Sequence, residues 1–184
     1  MVKQNFWGVY FAFYYLGSFG RSIIGLSYAE SVKLLIALNG VGIVGRVIPN
    51  HLADRCFGPM NTLIPIALVS SILTFSWIAV NSRGGLYAWA IIYGMSGAGI
   101  QSLFPAVLSS LTTDPRMQGT RMGMMFTMVS FATLTGPPIS GLLIQKGGGS
   151  YKYAQMFSGL DMLIGCLLMC CARFMKSKKL RARV

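Results

Sequence analysis

Long stretches without a charged side chain constrain this 184-residue chain more than any other feature. Residues 56–82 and 84–113 each contain no Asp, Glu, Lys or Arg. A helix needs roughly 20 mostly apolar residues to cross about 30 Å of hydrocarbon. A soluble fold would have to bury these stretches, but only 11% of the residues are charged, against about 25% in soluble domains. We therefore predict an integral membrane protein in contact with the lipid bilayer.

Six segments approach the length of a membrane span, and they predict an all-α bundle of six transmembrane helices. Their ranges are about 5–20, 31–49, 61–80, 86–111, 122–144 and 153–174. The first of them is short for a span. Residues 1–175 are expected to form the transmembrane domain, and residues 176–184 a basic cytoplasmic tail.

Lys and Arg side chains predict the orientation of the bundle. Short connections place alternate loops on one side, and the side with both termini collects 11 of the 16 cations. Because cytoplasmic loops carry the excess of Lys and Arg, we expect both termini in the cytoplasm and the chain in the plasma membrane. The cations of that side are Lys3, Arg46, Arg55, Arg116, Arg121, Arg173, Lys176, Lys178, Lys179, Arg181 and Arg183.

The net charge of +12 favours anionic lipid over nucleic acid as a partner. The cations flank apolar segments instead of clustering on a polar surface, and the densest group, residues 173–183, directly follows the last apolar segment. Basic residues next to a membrane span are attracted to anionic head groups. We therefore expect no nucleic-acid interface.

Glycines in the second apolar segment predict close helix packing. Gly40, Gly42 and Gly45 have the spacing of a dinucleotide-binding loop, but that loop requires a preceding strand and an acid about 20 residues later. Small residues let membrane helices approach each other. The same packing is expected for Gly94, Ser96, Gly97, Ala98, Gly99, Gly136, Ser140 and Gly141.

A compact charged turn follows these glycines. Pro49 is expected to break the helix, because proline lacks the backbone N–H and its ring clashes with the preceding turn. Residues 51–60, which include Asp54 and Arg55, would then form a short loop at the membrane surface.

This stretch resembles the cytoplasmic loop motif of the major facilitator superfamily. The resemblance lies in Gly45-Arg46-Val47-Ile48-Pro49, Leu52-Ala53-Asp54-Arg55 and Gly58. It narrows to the C-terminal half of fungal monocarboxylate-transporter-like members through Gly58-Pro59-Met60-Asn61, Phe104-Pro105-Ala106-Val107 and Gly119-Thr120-Arg121-Met122-Gly123-Met124. It implies one six-helix half of a twelve-helix carrier that binds substrate between two halves. It also implies a gating role for Asp54, Arg55, Gly58 and Arg121, through ion pairs that break and re-form.

The sequence departs from the family pattern at three places. Asn50 stands where the loop motif begins with glycine, and one extra residue lies between Arg55 and Gly58. In animal monocarboxylate carriers an aspartate precedes the helix arginine by four residues; Arg46 matches that arginine, but Gly42 stands in place of the aspartate. The resemblance therefore implies an anion-facing Arg46, while the aspartate that would complete a proton-coupling pair is missing.

Four polar side chains within apolar segments are candidate substrate-binding residues: Arg46, Asn39, Gln101 and Asp161. A charge within a spanning helix is costly and usually faces a cavity or a partner. Arg46 either attracts an anion or anchors the membrane edge, and Asp161 has either a functional or a buried structural role. Asn39 and Gln101 either line a polar cavity or bond between helices.

Two functions follow from these observations. The first is secondary transport of a small organic solute, with a monocarboxylate as one candidate, by a carrier of which this chain is the C-terminal half; an N-terminal half or another carrier chain is then its partner. The second is a truncated, non-transporting membrane protein that associates with or regulates a full-length carrier. Enzyme chemistry, metals and cofactors are not expected, because His51 is the single histidine and no metal-ligand cluster is present in the sequence.

Overall fold

The structure of the chain is a computed structural model that describes residues 2–112 and 114–176. The described residues form six long α-helices. A π-helical turn, Ala53–Phe57, directly follows the second helix, and short 3-10 turns lie at Trp77–Ala79 and Pro115–Met117. The described residues contain no strand, which confirms the all-α prediction, whereas the tail from residue 177 lies outside them. The helices are α1 (Val2–Ser22), α2 (Tyr28–Leu52), α3 (Pro59–Ser76), α4 (Arg83–Leu111), α5 (Gln118–Lys146) and α6 (Lys152–Lys176).

Five of the six helices are both long and apolar enough to cross a bilayer, counting the short turns that extend them. These spans are Tyr28–Phe57, Pro59–Ala79, Arg83–Leu111, Pro115–Lys146 and Lys152–Met175. Helix α1 is also long enough, since its 21 residues extend about 32 Å. Its three tyrosines, together with Lys3, Gln4, Asn5 and Arg21, lower its hydropathy.

The helices pack around α1 and α4. Helix α4 packs most extensively against α2 and also against α3, while α1 contacts α2, α5 and α6, and α3 packs against α6. An aromatic cluster joins them: the ring centroids of Trp77 and Trp89 lie 4.5 Å apart, and those of Trp89 and Tyr93 4.6 Å apart. Phe11 and Phe19 of α1 pack against Trp77 at 5.3 and 5.2 Å. This cluster fixes α1 relative to α4.

Helices α2 and α4 cross at glycines. A Cβ added at Gly45 would overlap the backbone of Met95, and one added at Gly94 would overlap the carbonyl of Leu38. A Cβ at Gly42 would lie 3.2 Å from the Cβ of Ala98. Close packing is thus confirmed for Gly42 and Gly45, but it is wrong for Gly40, where an added Cβ meets nothing within 4 Å.

The expected helix break at Pro49 is wrong. Helix α2 continues through Pro49 to Leu52, and the π-helical turn extends it to Phe57, so the charged turn is the end of a 30-residue helix. Pro49 follows Gly45 by one turn, so the missing N–H of Pro49 leaves the Gly45 carbonyl without its intrahelical donor. The Asn50 side chain also donates a hydrogen bond to the Arg46 carbonyl at 2.8 Å, within the same turn.

The α2–α4 crossing predicts opposite effects for two glycine substitutions on one helix. Gly45→Ala should lower the thermal unfolding midpoint of the detergent-solubilised chain, because overpacking costs about 1–3 kcal/mol. Gly40→Ala is the matched control, and it should leave the midpoint unchanged or raise it slightly, because alanine favours the helix and the site is open. Equal midpoints for the two variants would contradict this description of the crossing.

Candidate functional site

An open pocket of about 270 Å³ lies where α1, α2 and α4 converge. Helices α3 and α6 contribute no residue to its lining. Three of the four predicted substrate-binding residues line it, although the sequence places them up to 62 positions apart, between Asn39 and Gln101. The six lining residues are Tyr10, Phe13, Tyr14, Asn39, Arg46 and Gln101.

Helix α2 supplies the cationic side of the pocket. Asn39 and Arg46 are seven residues apart, so they lie on the same face of the helix, about 10 Å from each other. The predicted end of this segment at residue 49 places Arg46 at its edge. Because the helix runs on to Phe57, Arg46 instead lies 11 residues, or about 16 Å, before its end. A cation at that depth is stabilised when it faces a polar opening.

Aromatic rings of α1 form the opposite side. The rings of Tyr10 and Tyr14 are one helical turn apart, with centroids 6.3 Å apart, and Phe6 stacks on Tyr10 at 6.1 Å. Tyr14 is 62% exposed, so its ring is available to a ligand. These aromatic residues were not among the substrate-binding residues predicted from the sequence. The spacing of Tyr10 and Tyr14 could have indicated them, because it places both rings on one face of a helix.

The chemistry of the lining favours an anion with an apolar body. Arg46 provides a guanidinium, Asn39 and Gln101 provide amides, and none of the six lining residues is acidic. An arginine can hold a carboxylate through two parallel hydrogen bonds, while aromatic faces accept flat apolar groups. The Asn39 side chain donates to the Leu35 carbonyl of its own helix at 2.9 Å, which fixes the orientation of its amide.

Gly42 lies at the α2–α4 crossing, at the position of the aspartate of animal monocarboxylate carriers. It is buried against α4, with an added Cβ only 3.2 Å from that of Ala98. A carboxylate side chain at this position would require its neighbours on α4 to shift by a few tenths of an ångström. The close crossing therefore favours glycine over aspartate one turn before Arg46.

Asp161 does not line the pocket. It is buried at 8% exposure in α6, on the face that also carries Ser158 and Gly165. That face packs against α1, where an added Cβ at Gly165 would contact the amide of Asn5. The structure thus separates Asp161 from the other three candidates and places it between α1 and α6.

The charged turn has a defined geometry. Asp54 and Arg55 are exposed within the π-helical turn, and the Gly58 N–H closes it with a bond to the Ala53 carbonyl at 2.9 Å. A π-helical turn holds one more residue than an α-helical turn, which accommodates the extra residue between Arg55 and Gly58. Gly58 has φ +84°, a conformation that favours glycine, and the chain reverses there into α3.

Arg121 does not join this turn. It is exposed in the first turns of α5, and among the described residues no salt bridge links it to Asp54. At the opposite end of the bundle, Arg83 pairs with Glu30 at 3.2 Å. The four predicted gating residues therefore divide into three in or beside the π-helical turn and one on a separate helix.

Comparison with known proteins gives consistent matches. The family model of the Major Facilitator Superfamily matches residues 50–183. An MFS-type transporter of Gibberella zeae is 48% identical over 171 residues, covering 92% of this chain and 38% of that protein. The aspyridones efflux protein of Emericella nidulans is 33% identical over 161 residues, covering 88% and 32%. The agnestins efflux protein of Paecilomyces divaricatus is 30% identical over 168 residues, covering 91% and 38%. The chain thus spans well under half the length of each relative.

The pocket predicts that residue 46 meets water inside the membrane. In a background with Cys56, Cys170 and Cys171 replaced by serine, Arg46→Cys should react with a charged, membrane-impermeant thiol reagent about tenfold faster than Val47→Cys, because only a thiolate in water reacts. Val47 is the matched control, since it is 63% exposed on the same helix but lies about 100° around the helix axis from Arg46 and outside the pocket. Equally slow reaction of the two variants in lipid nanodiscs would show that residue 46 faces hydrocarbon.

Proposed function

The chain belongs to the major facilitator superfamily, and we propose that it forms the C-terminal six-helix half of a secondary carrier that moves a small organic anion across the membrane. Carriers of this architecture bind substrate near the midplane, at the interface of two repeats. This chain offers a lined pocket on three helices, and a second six-helix half covers it in the complete carrier.

The observation that carries the proposal is the placement of Arg46 in the pocket with Asn39 and Gln101. An arginine within a spanning helix is stabilised when it faces a polar opening. Because this opening holds no acid, the arginine also attracts an anion from water. The amides then orient the bound group by hydrogen bonds. Because position 42, one turn away, is a glycine and the lining holds no acid, no carboxylate of the lining competes with the substrate for the guanidinium.

The aromatic side of the pocket narrows the substrate class. Tyr10, Phe13 and Tyr14 offer apolar faces opposite the cation, so the preferred substrate combines a carboxylate with a flat or apolar body. This chemistry includes monocarboxylates, as the fungal monocarboxylate-transporter-like resemblance implies. Two relatives are named efflux proteins, for aspyridones and agnestins, which favours export as the direction of transport.

The proposed orientation has both termini in the cytoplasm of the cell, with the carrier in the plasma membrane. It rests on the excess of Lys and Arg at the end of the bundle that carries the π-helical turn and the chain termini. In this orientation Asp54, Arg55 and Gly58 lie at the cytoplasmic surface, where a gating role requires them. Arg121 begins α5 at the same end, and an ion pair with the turn would belong to another conformation of the carrier.

Removal of the Arg46 charge tests the substrate assignment. In the full-length carrier reconstituted in liposomes, Arg46→Ala should reduce transport of a small organic acid about tenfold to a hundredfold, because a charge-assisted hydrogen bond contributes about 1.5–3 kcal/mol. Transport of a neutral solute of similar size should change far less. Arg21→Ala is the matched control, since Arg21 is exposed and lies over the ring of Tyr28, outside the pocket.

Equal losses for the acid and the neutral solute would remove the anion-binding role of Arg46. Absence of transport by the full-length carrier across a panel of organic acids would remove the transport proposal itself. If this chain forms a stable complex with a full-length carrier, and neither the chain alone nor the complex takes up solute, the result would favour the regulatory alternative.

A further inference from the structure

Among the side chains that the structure describes, Arg173 is the buried cation. It lies in the last turns of α6 at 7% exposure, whereas Arg46, Arg55, Arg116 and Arg121 are all exposed. The sequence predicted that Arg173 contacts lipid head groups with the other basic residues of the tail. Its side chain is instead buried within the helix bundle. A buried guanidinium is stable only where hydrogen-bond acceptors satisfy it.

Asn61 of α3 is one acceptor. The Arg173 Nε donates a hydrogen bond to the Asn61 side-chain oxygen. The other end of the same amide donates to the Phe57 carbonyl at 2.8 Å. Phe57 is the last residue of the π-helical turn, so its carbonyl belongs to the helix end that otherwise lacks an intrahelical donor. The two bonds connect α6 to the charged turn through a single side chain.

The rest of the α3–α6 interface holds this relay in place. The Ser71 hydroxyl donates to the Gly159 carbonyl at 2.9 Å, deep in the bundle, and Cys166 contacts the Ile64 carbonyl at 3.6 Å. At the start of α3, the Thr62 hydroxyl donates to the Gly58 carbonyl at 2.9 Å. Helices α3 and α6 therefore pack as one pair, and Arg173 extends their contact to the turn.

We propose that Arg173 is a positioning residue for the charged turn, which it holds against α6 through Asn61. The turn that carries Asp54 and Arg55 is thereby attached to the α3–α6 pair, on the side of the bundle away from the pocket. Movement of the turn relative to α6 has to break either the Arg173–Asn61 bond or the Asn61–Phe57 bond. This bond therefore contributes to the barrier between arrangements of the turn, in addition to any ion pair that Asp54 makes.

Amide hydrogen exchange of the purified chain in nanodiscs tests the relay without any transport. Arg173→Met keeps the length of the side chain and removes its donors, and it should speed exchange at residues 53–58 about fivefold to tenfold, as loss of one strong hydrogen bond does. Arg173→Lys, which can still donate to Asn61, should restore part of the protection. Arg116→Met is the matched control, since it removes an exposed cation at the same end of the bundle that belongs neither to the relay nor to the predicted gating residues.

Substitutions at Asn61 separate the two bonds of the relay. Asn61→Asp keeps the acceptor for Arg173 but loses the donor to Phe57, so it should release the turn as Asn61→Ala does. The double variant Arg173→Met with Asn61→Ala should exchange no faster than Asn61→Ala alone, because both act on one connection. A spin label on Cys56, with the other cysteines replaced by serine, should show a more mobile spectrum in the same variants.

Unchanged exchange at residues 53–58 in a folded Arg173→Met chain would overturn the proposal. The same increase in Arg116→Met would overturn it too, because a general effect of charge would then explain the change. In the full-length carrier, Arg173→Met should alter kcat and leave KM unchanged, since Arg173 does not line the pocket. The exchange measurement stands independently of transport, so its failure is distinct from a failure of the proposed function.

Discussion

The close approach of α2 and α4 is the constraint on which the candidate site depends. Lipid tails are as apolar as the side chains between helices, so membrane helices associate mainly through backbone proximity and hydrogen bonds. Gly45 and Gly94 allow this proximity because neither carries a side chain at the crossing. The crossing brings α2, with Arg46 and Asn39, beside Gln101 of α4. The polar lining of the pocket thus depends on Gly45 and Gly94, although neither glycine lines the pocket itself.

The two ends of α2 differ in how their charges are handled. At its start, Glu30 caps the helix through Ser27 and also pairs with Arg83. At its end, the charged residues stand exposed in a π-helical turn, and the bonds that hold this turn come from Asn61 and Arg173. One end is therefore fixed by local and ionic contacts, while the other is fixed by a relay between helices.

Much of the fold follows from the sequence, because a run of about 20 apolar residues in a membrane has few alternatives to a helix. The glycine packing and three pocket residues also follow, since polar side chains within spans face cavities or partners. Pro49 could not be placed correctly, because whether a proline ends a helix depends on what lies against the preceding turn. Arg173 was misplaced for a similar reason: charge predicts the surface, and only the tertiary arrangement supplied Asn61 as an acceptor.

Proline within α2 has a mechanical consequence. The Gly45 carbonyl lacks its usual hydrogen-bond donor, because Pro49, one turn later, has no backbone N–H. This carbonyl lies against Gly99 of α4. Bending the helix at this level breaks fewer backbone hydrogen bonds than bending it one turn earlier or later, because the bond from residue 49 to Gly45 is already missing. The segment from Pro49 to Phe57, about 12 Å long, connects this weakened level to the charged turn.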